Sequence, residues 1–158
     1  LVEALDDCFC AFDEIVKKRG LEKIKTIDDS YMCAGGLPET NSTHPFDAVM
    51  AALEMQDAVS ERKRKKASAG EFYWDIRLGI HTGPLIAGVV GKNKFAYDVW
   101  GTTVNTASRM ESSGEAGRIN ISGATYELVK DRFTTEPRGK VLAKNMGEIE
   151  MYFVNGVK

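Results

Sequence analysis

The chain is expected to fold as an α+β domain, an antiparallel-rich sheet covered on one side by helices, and three observations predict it. Two long stretches repeat apolar residues every three or four positions, as amphipathic helices do. Short segments around them alternate apolar and polar residues. Those segments are punctuated by Gly, Asp and Pro, so that the order along the chain is helix, hairpin, helix, hairpin.

Leu1, Leu5, Cys8, Phe9, Phe12, Ile15 and Val16 form the first helical stripe, closed by Lys17-Lys18-Arg19 and the terminator Gly20. Leu21 to Ile27 alternates apolar and charged residues, Asp28-Asp29 interrupts, and Tyr31 to Ala34 follows: a hairpin with acids at its tip. Gly35 to Pro45 is a polar loop. Phe46 to about Arg64 returns to helical spacing through Val49, Met50, Leu53, Met55 and Val59. Phe72 to His81, Leu85 to Val90 and Phe95 to Val99 read as a meander joined at Thr82-Gly83-Pro84 and Gly91-Lys92-Asn93-Lys94. A helix from Thr103 to about Glu111, a strand from Arg118 to Ile121, a short helix around Ala124 to Lys130, and strands near Phe133 and from Glu148 to Val154 complete the chain.

The 158 residues are one domain's worth. With 43% hydrophobic and 28% charged residues, the composition is that of a globular protein. No apolar run approaches the ~20 residues of a membrane helix. The net charge of −2 excludes a global basic field for nucleic acid. Arg62-Lys63-Arg64-Lys65-Lys66 is read as a solvated helix end, where cations suit the dipole. Cys8, Cys10 and Cys33 are odd in number and scattered, which predicts buried free thiols rather than a disulfide or zinc site. His81, in an Ile-His-Thr-Gly turn, and His44, before Pro45, are assigned structural roles, and no Walker-type phosphate loop exists.

The chemistry concentrates in Lys94 to Glu111, KFAYDVWGTTVNTASRME, which gathers a carboxylate (Asp98), an amide (Asn105) and a guanidinium (Arg109) in one strand-turn-helix unit. Asn105 and Arg109 lie four apart and project from one helix face. Taken alone, each polar residue has a plainer reading: Asp29 as a turn-former, Lys25 as a solvated strand residue, Asp98 as a turn acid, Arg109 as an exposed partner for acids one turn away.

Together with Lys25-Thr26-Ile27-Asp28-Asp29-Ser30-Tyr31-Met32 and Leu78-Gly79-Ile80-His81-Thr82-Gly83, this block resembles the catalytic domain of class III adenylyl and guanylyl cyclases, in the family's order and over the whole chain. The resemblance implies a ferredoxin-like βαββαβ core with a C-terminal extension, spanning residues 1–158 as a single cyclase domain. Relative to the family, Leu1 follows an opening strand that carries a metal aspartate and a phosphate-gripping turn, so these 158 residues alone are expected to turn over slowly or not at all.

The resemblance also implies roles. Asp29 matches the second of two metal aspartates, binding a pair of Mg²⁺ or Mn²⁺ ions. Asp28 stands where the family usually has Gly, at a backbone position that Asp accepts at modest cost if φ is positive. Lys25 and Asp98, with Val99 beside them, match the base-reading positions. A lysine donates to adenine N1 and a carboxylate accepts from its N6 amine, whereas guanine would want an acid in the lysine's place; ATP is therefore the expected substrate. Asn105 matches the ribose-holding residue and Arg109 the one that takes transition-state charge. Lys144 aligns with a triphosphate-binding lysine, although Asn145 interrupts the family's usual Lys-Gly-x-Gly. Because the family's sites form between subunits, a head-to-tail homodimer with two composite sites is implied. A cytoplasmic catalytic domain with an upstream sensor or regulatory domain, and no nucleic-acid partner, completes the expectation. The alternative is a catalytically inactive module that keeps the fold for dimerisation or nucleotide sensing, and a guanylyl cyclase is disfavoured by Lys25 and Asp98.

Overall fold

The computed structural model describes residues 2–94 and 96–158. In chain order the elements are α1 (Val2–Lys18), β1 (Glu22–Ile27), β2 (Ser30–Ala34), α2 (His44–Ser68), β3 (Leu78–Ile80), β4 (Ile86–Val90), β5 (Ala96–Trp100), α3 (Thr102–Ser112), β6 (Ile119–Ser122), α4 (Gly123–Val129), β7 (Phe133–Ala143) and β8 (Gly147–Val157). The α+β expectation is met. β1 and β2 form an antiparallel hairpin, β4 and β5 a second, and the main sheet runs β3-β6-β8-β7 with β3 parallel to β6 and the other pairs antiparallel.

The helical stripe of α1 buries Cys8, Phe12 and Val16 against Ala51, Met55 and Val59 of α2, which face the sheet side of the molecule from both helices. The other side of α2 contributes Val49 and Ala52 to a second core with Ile119, Ile121, Val129, Phe133 and Val154. A third, smaller cluster joins Met110 of α3 to Ala143 and Met151 at the β7–β8 end of the sheet.

Several boundaries differ from the sequence reading. Phe72 to Arg77 was expected in a strand, but only Leu78–Ile80 pairs, and it pairs with β6 rather than continuing as a meander into β4. Aromatic alternation there serves local packing instead: the Tyr73 and Trp74 rings meet edge-on at 4.4 Å. Leu1, the first residue of the expected helical stripe, and Phe95 lie outside the described residues. The strand near Phe133 extends over eleven residues, because β7 is an edge strand that tolerates Pro137 and absorbs its irregularity in register shifts at Thr134/Thr135 and Pro137/Gly139. Of the three thiols expected to be buried, Cys8 is, Cys10 is exposed on the outer face of α1, and Cys33 is intermediate.

All five cations of Arg62 to Lys66 have acidic neighbours. Arg62 meets Asp7 at 2.7 Å, Lys63 meets Asp75 at 2.7 Å, Arg64 and Lys65 approach Glu61 at 2.6 and 3.8 Å, and Lys66 meets Glu71 at 3.2 Å. The run is therefore locally neutralised, and offers no free basic patch.

Among the described glycines, Gly79 leaves the least room for a side chain, where β3 meets α3. A Cβ on Gly79 would stand 2.1 Å from the Glu111 amide nitrogen and 2.5 Å from the Met110 carbonyl carbon. Since the obstacle is helix backbone, Gly79→Ala should shift α3 and cost about 3 kcal/mol, the upper end for overpacking. Gly156→Ala, with nothing within 4 Å of the added methyl, should stay within about 0.5 kcal/mol. Urea denaturation of both variants checks this, and equal midpoints would remove the close approach as a constraint.

Candidate nucleotide site

Lys25 reaches its position through a bulge. The register of β1 against β2 shifts between Lys23 and Lys25, so the strand bends and the Lys25 side chain turns toward β5. Its Nζ donates to Asp98 Oδ2 at 3.0 Å, while the Val99 amide donates to Asp98 Oδ1 at 2.8 Å. Both carboxylate oxygens are thus engaged, and this pair ties the first hairpin to the second. The Lys25 hydrogen bond, then that of the Val99 amide, hold the Asp98 carboxyl below its ordinary pKa. Val99 is buried beneath the pair.

Directly after β5 the chain turns at Gly101, whose φ of 126° is open to glycine and strained for other residues. The Gly101 carbonyl accepts from the Val104 and Asn105 amides and starts α3. Thr103 Oγ1 donates to the Pro84 carbonyl at 2.5 Å, fastening the helix start to the loop between β3 and β4. Asn105 is exposed and Arg109 half-buried on the same helix.

Asp28 and Asp29 form the two-residue tip of the first hairpin, both exposed. Asp28 has φ 52°, so the position does demand the left-handed region, and Asp occupies it. A groove of about 1240 Å³ runs between β2 and β3 and is lined by Lys25, Asp29, Val99 and Asn105 among others. Four of the seven residues singled out from the sequence therefore share one concavity, and Asp98 joins them through Lys25. Arg109 is one helical turn beyond Asn105 and off that wall. Lys144 stands apart, exposed in the β7–β8 turn where Asn145 takes φ 65°. Met146 of that turn still leans on α3, its Sδ 3.6 Å from Thr106 Oγ1.

Asp29 supplies the hard oxygen donor that Mg²⁺ or Mn²⁺ prefers. No group of three His, Cys, Asp or Glu side chains is arranged for a metal ion among the described residues. The donor chemistry fits and the donor set within this stretch is incomplete.

His81 has a structural place: its Nδ1 lies 2.7 Å from Ser122 Oγ, which also caps α4 by accepting from the Thr125 amide. Burial lowers its pKa. Sequence reading missed Asn120 and Arg138, which hold the far end of α3; the one available signal was an amide between Ile119 and Ile121 in an otherwise apolar strand.

In this α+β fold a lysine-aspartate pair and an amide stand at one groove, with a guanidinium one helical turn beyond it, a set of donors and acceptors suited to a nucleotide. The family model for the adenylate and guanylate cyclase catalytic domain matches residues 1–156, and the chain belongs to that family. It is 40% identical over 158 residues to an adenylate cyclase of Mycobacterium tuberculosis, covering all of this chain and 35% of the relative. It thus spans about a third of that protein's length. Among solved structures, it is similar to the guanylate cyclase domain of RhGC from Catenaria anguillulae in complex with GTP (37% identity, TM-score 0.87, 98% of this chain and 82% of that one). It also resembles the adenylyl cyclase CyaB from P. aeruginosa, with 29% identity, a TM-score of 0.90, and coverage of 100% of this chain and 83% of that one. These solved cyclase domains bear out the expected fold, and relatives of both base specificities surround the chain.

The Lys25–Asp98 pair gives a pH prediction. Because the folded Asp98 pKa lies below the unfolded one, the pair's contribution is whole above the ordinary carboxylate value of ~3.9 and is lost as pH falls through the folded pKa. Carboxyl carbon NMR titration should show Asp98 below that ordinary value, and Lys25→Ala should move it up. An Asp98 midpoint unchanged by Lys25→Ala would remove the pair.

Proposed function

We propose that the domain is an adenylate cyclase, converting ATP to 3′,5′-cyclic AMP and pyrophosphate in cyclic nucleotide signalling. The observation that carries the reading is the Lys25–Asp98 pair, in contact at 3.0 Å beside the groove. A cation that donates and a carboxylate that accepts complement the N1 and N6 edge of adenine, not the carbonyl and N–H donors of guanine. Asp98 Oδ1 is already taken by backbone, so the purine amine displaces Lys25 from Oδ2 and the ammonium moves to the ring nitrogen.

On this reading, Asn105 orients the ribose so that its 3′ hydroxyl lies in line with the α-phosphate, and Arg109 places a planar fork on the phosphate oxygens as charge accumulates. Lys144 contacts the triphosphate from the β7–β8 turn. Divalent ions, when bound, lower the hydroxyl's pKa and neutralise phosphate charge; Asp29 would hold them with a further carboxylate from outside the described residues.

Asp29 and the α3 residues act, in this proposal, in composite sites of a head-to-tail homodimer. The second hairpin supports dimerisation, because Ile86, Val89 and Trp100 are 70%, 61% and 39% exposed there, an apolar surface left uncovered among the described residues. The groove between β2 and β3 supports a strand preceding Leu1. Both sheet edges face it, and Tyr31, Cys33, Leu78 and Ile80 line it with apolar and aromatic surface. A strand there would join the two sheets and bring the second metal carboxylate near Asp29. The full protein would then carry sensor or regulatory segments beyond this domain and place it in the cytoplasm; among the described residues no helix is long and apolar enough to cross a membrane.

A longer polypeptide beginning one strand upstream, with Mn²⁺, should make cyclic AMP from ATP, and residues 1–158 alone should do so slowly or not at all. Arg109→Ala should reduce turnover about 10²–10³-fold, as loss of a charge-stabilising donor does. No product from ATP or GTP, in folded dimeric protein, would transfer the assignment to a nucleotide-sensing or dimerisation module.

In the same longer polypeptide, Lys25→Glu with Asp98→Cys should shift preference from ATP toward GTP by at least about tenfold, since a polar mismatch leaves buried groups unpaired. Unchanged ATP/GTP selectivity in the purified double mutant would remove the base-reading assignment.

A further inference from the structure

The helix that carries Asn105 and Arg109 is latched from outside itself at its C-terminal end. An α-helix leaves its last four carbonyls without intrahelical donors. In α3 the Arg109 and Glu111 carbonyls are met locally, by the Ser113 and Gly114 amides at 2.9 and 3.0 Å. The Met110 carbonyl points inward, from a residue with no solvent exposure. Its donor is the Asn120 side chain of β6, Nδ2 to O at 2.9 Å. One residue past the helix, the Ser113 carbonyl accepts from Arg138 of β7 at 2.9 Å, and the same Arg138 nitrogen donates to Asn120 Oδ1 at 3.1 Å.

The three contacts close a loop of fixed polarity. Arg138 donates to the amide oxygen, so the amide nitrogen must face Met110. Asn120 has no solvent exposure, which denies it water as a substitute partner. The Arg138 guanidinium carbon stands over the Phe153 ring, 4.3 Å from its centroid, with that of Arg118 at 4.0 Å from the same ring. Stacking orients the fork, and its positive charge near a helix C-terminus suits the dipole. The peptide gripped by Asn120 immediately follows Arg109.

We propose that Asn120 and Arg138 are positioning residues for catalysis: they set the height and rotation of the last turn of α3, and through it where the Arg109 guanidinium stands when substrate is bound. The role rests on the cyclase reading of Arg109, whereas the latch itself does not. Gly79 provides the seat against which they pull, its missing Cβ letting Met110 and Glu111 backbone lie on β3. The pair acts on the transition state more than on substrate binding, since the base and its readers Lys25 and Asp98 belong to β1 and β5.

The test has two arms. In the full-length protein, Arg138→Ala should lower kcat at least tenfold with KM for ATP within twofold. Arg138→Lys should recover part of that loss, because an ammonium reaches one acceptor without the planar fork. Val129→Ala, a truncation in the core cluster separate from the one that holds Met110 of α3, serves as the matched destabilised control and should retain wild-type kcat per folded molecule. In the 158-residue chain, Arg138→Ala should speed amide hydrogen exchange over residues 109–114 and leave α1 and α2 protection unchanged. An inactive wild-type protein would sink the cyclase reading while the exchange arm still judges the latch. Unchanged exchange at α3, or a loss of kcat equal to that of Val129→Ala, would overturn the proposal.

Discussion

The packing of α3 on β3 is the constraint around which the rest of the site is arranged. Helix backbone can approach a strand this closely only where the strand has no side chain, and Gly79 provides that opening. From this contact follow the burial of Met110, the inward carbonyl that needs Asn120, and the outward presentation of Asn105. The Arg77 Nε to Glu111 Oε2 approach of 3.1 Å flanks the same seam on its solvent side. Such an exposed pair adds little, so the seam depends on shape and on the buried amide.

Much of this was legible in sequence where one periodicity acted alone. α1 shows a single apolar stripe ended by cations and glycine, and its C-terminal limit agrees with the structure. The first hairpin reads correctly because Asp28-Asp29 is both a turn signal and a tip. β7 was truncated in the reading because Pro137 and Gly139 look like breakers, and only knowledge that the strand lies at a sheet edge makes them compatible with eleven residues of pairing. Phe72 to Arg77 erred the other way: alternation of large residues marked contact with α2 and the aromatic pair, not a ladder. Local pattern does not report which neighbour a strand will have.

The candidate site divides along the same line. Lys25, Asp98, Asn105 and Arg109 could be singled out because three separated blocks kept a family's order. What sequence could not supply is that Lys25 and Asp98 close on each other, since that contact spans 73 positions and depends on a bulge in β1. Asn120 and Arg138 were invisible for a related reason. Their meaning lies in a carbonyl of another element, and no side-chain pattern encodes the direction of a backbone oxygen.

The closed Lys25–Asp98 pair bears on how selectivity would arise. In the free domain Lys25 and Asp98 satisfy each other at 3.0 Å, so neither of these partly exposed charges is left unpaired. On the adenylate cyclase proposal, a purine with an amine at position 6 would replace both ends of that contact, donating to the carboxylate and accepting from the ammonium. A purine with a carbonyl at position 6 separates the pair and leaves the carboxylate facing an acceptor. Discrimination then comes chiefly from rejecting the wrong base, the stronger of the two routes when polar groups are already paired. On the adenylate cyclase proposal the two positions would have to change together to invert preference, because a single replacement leaves one member of the pair without its partner in the free protein.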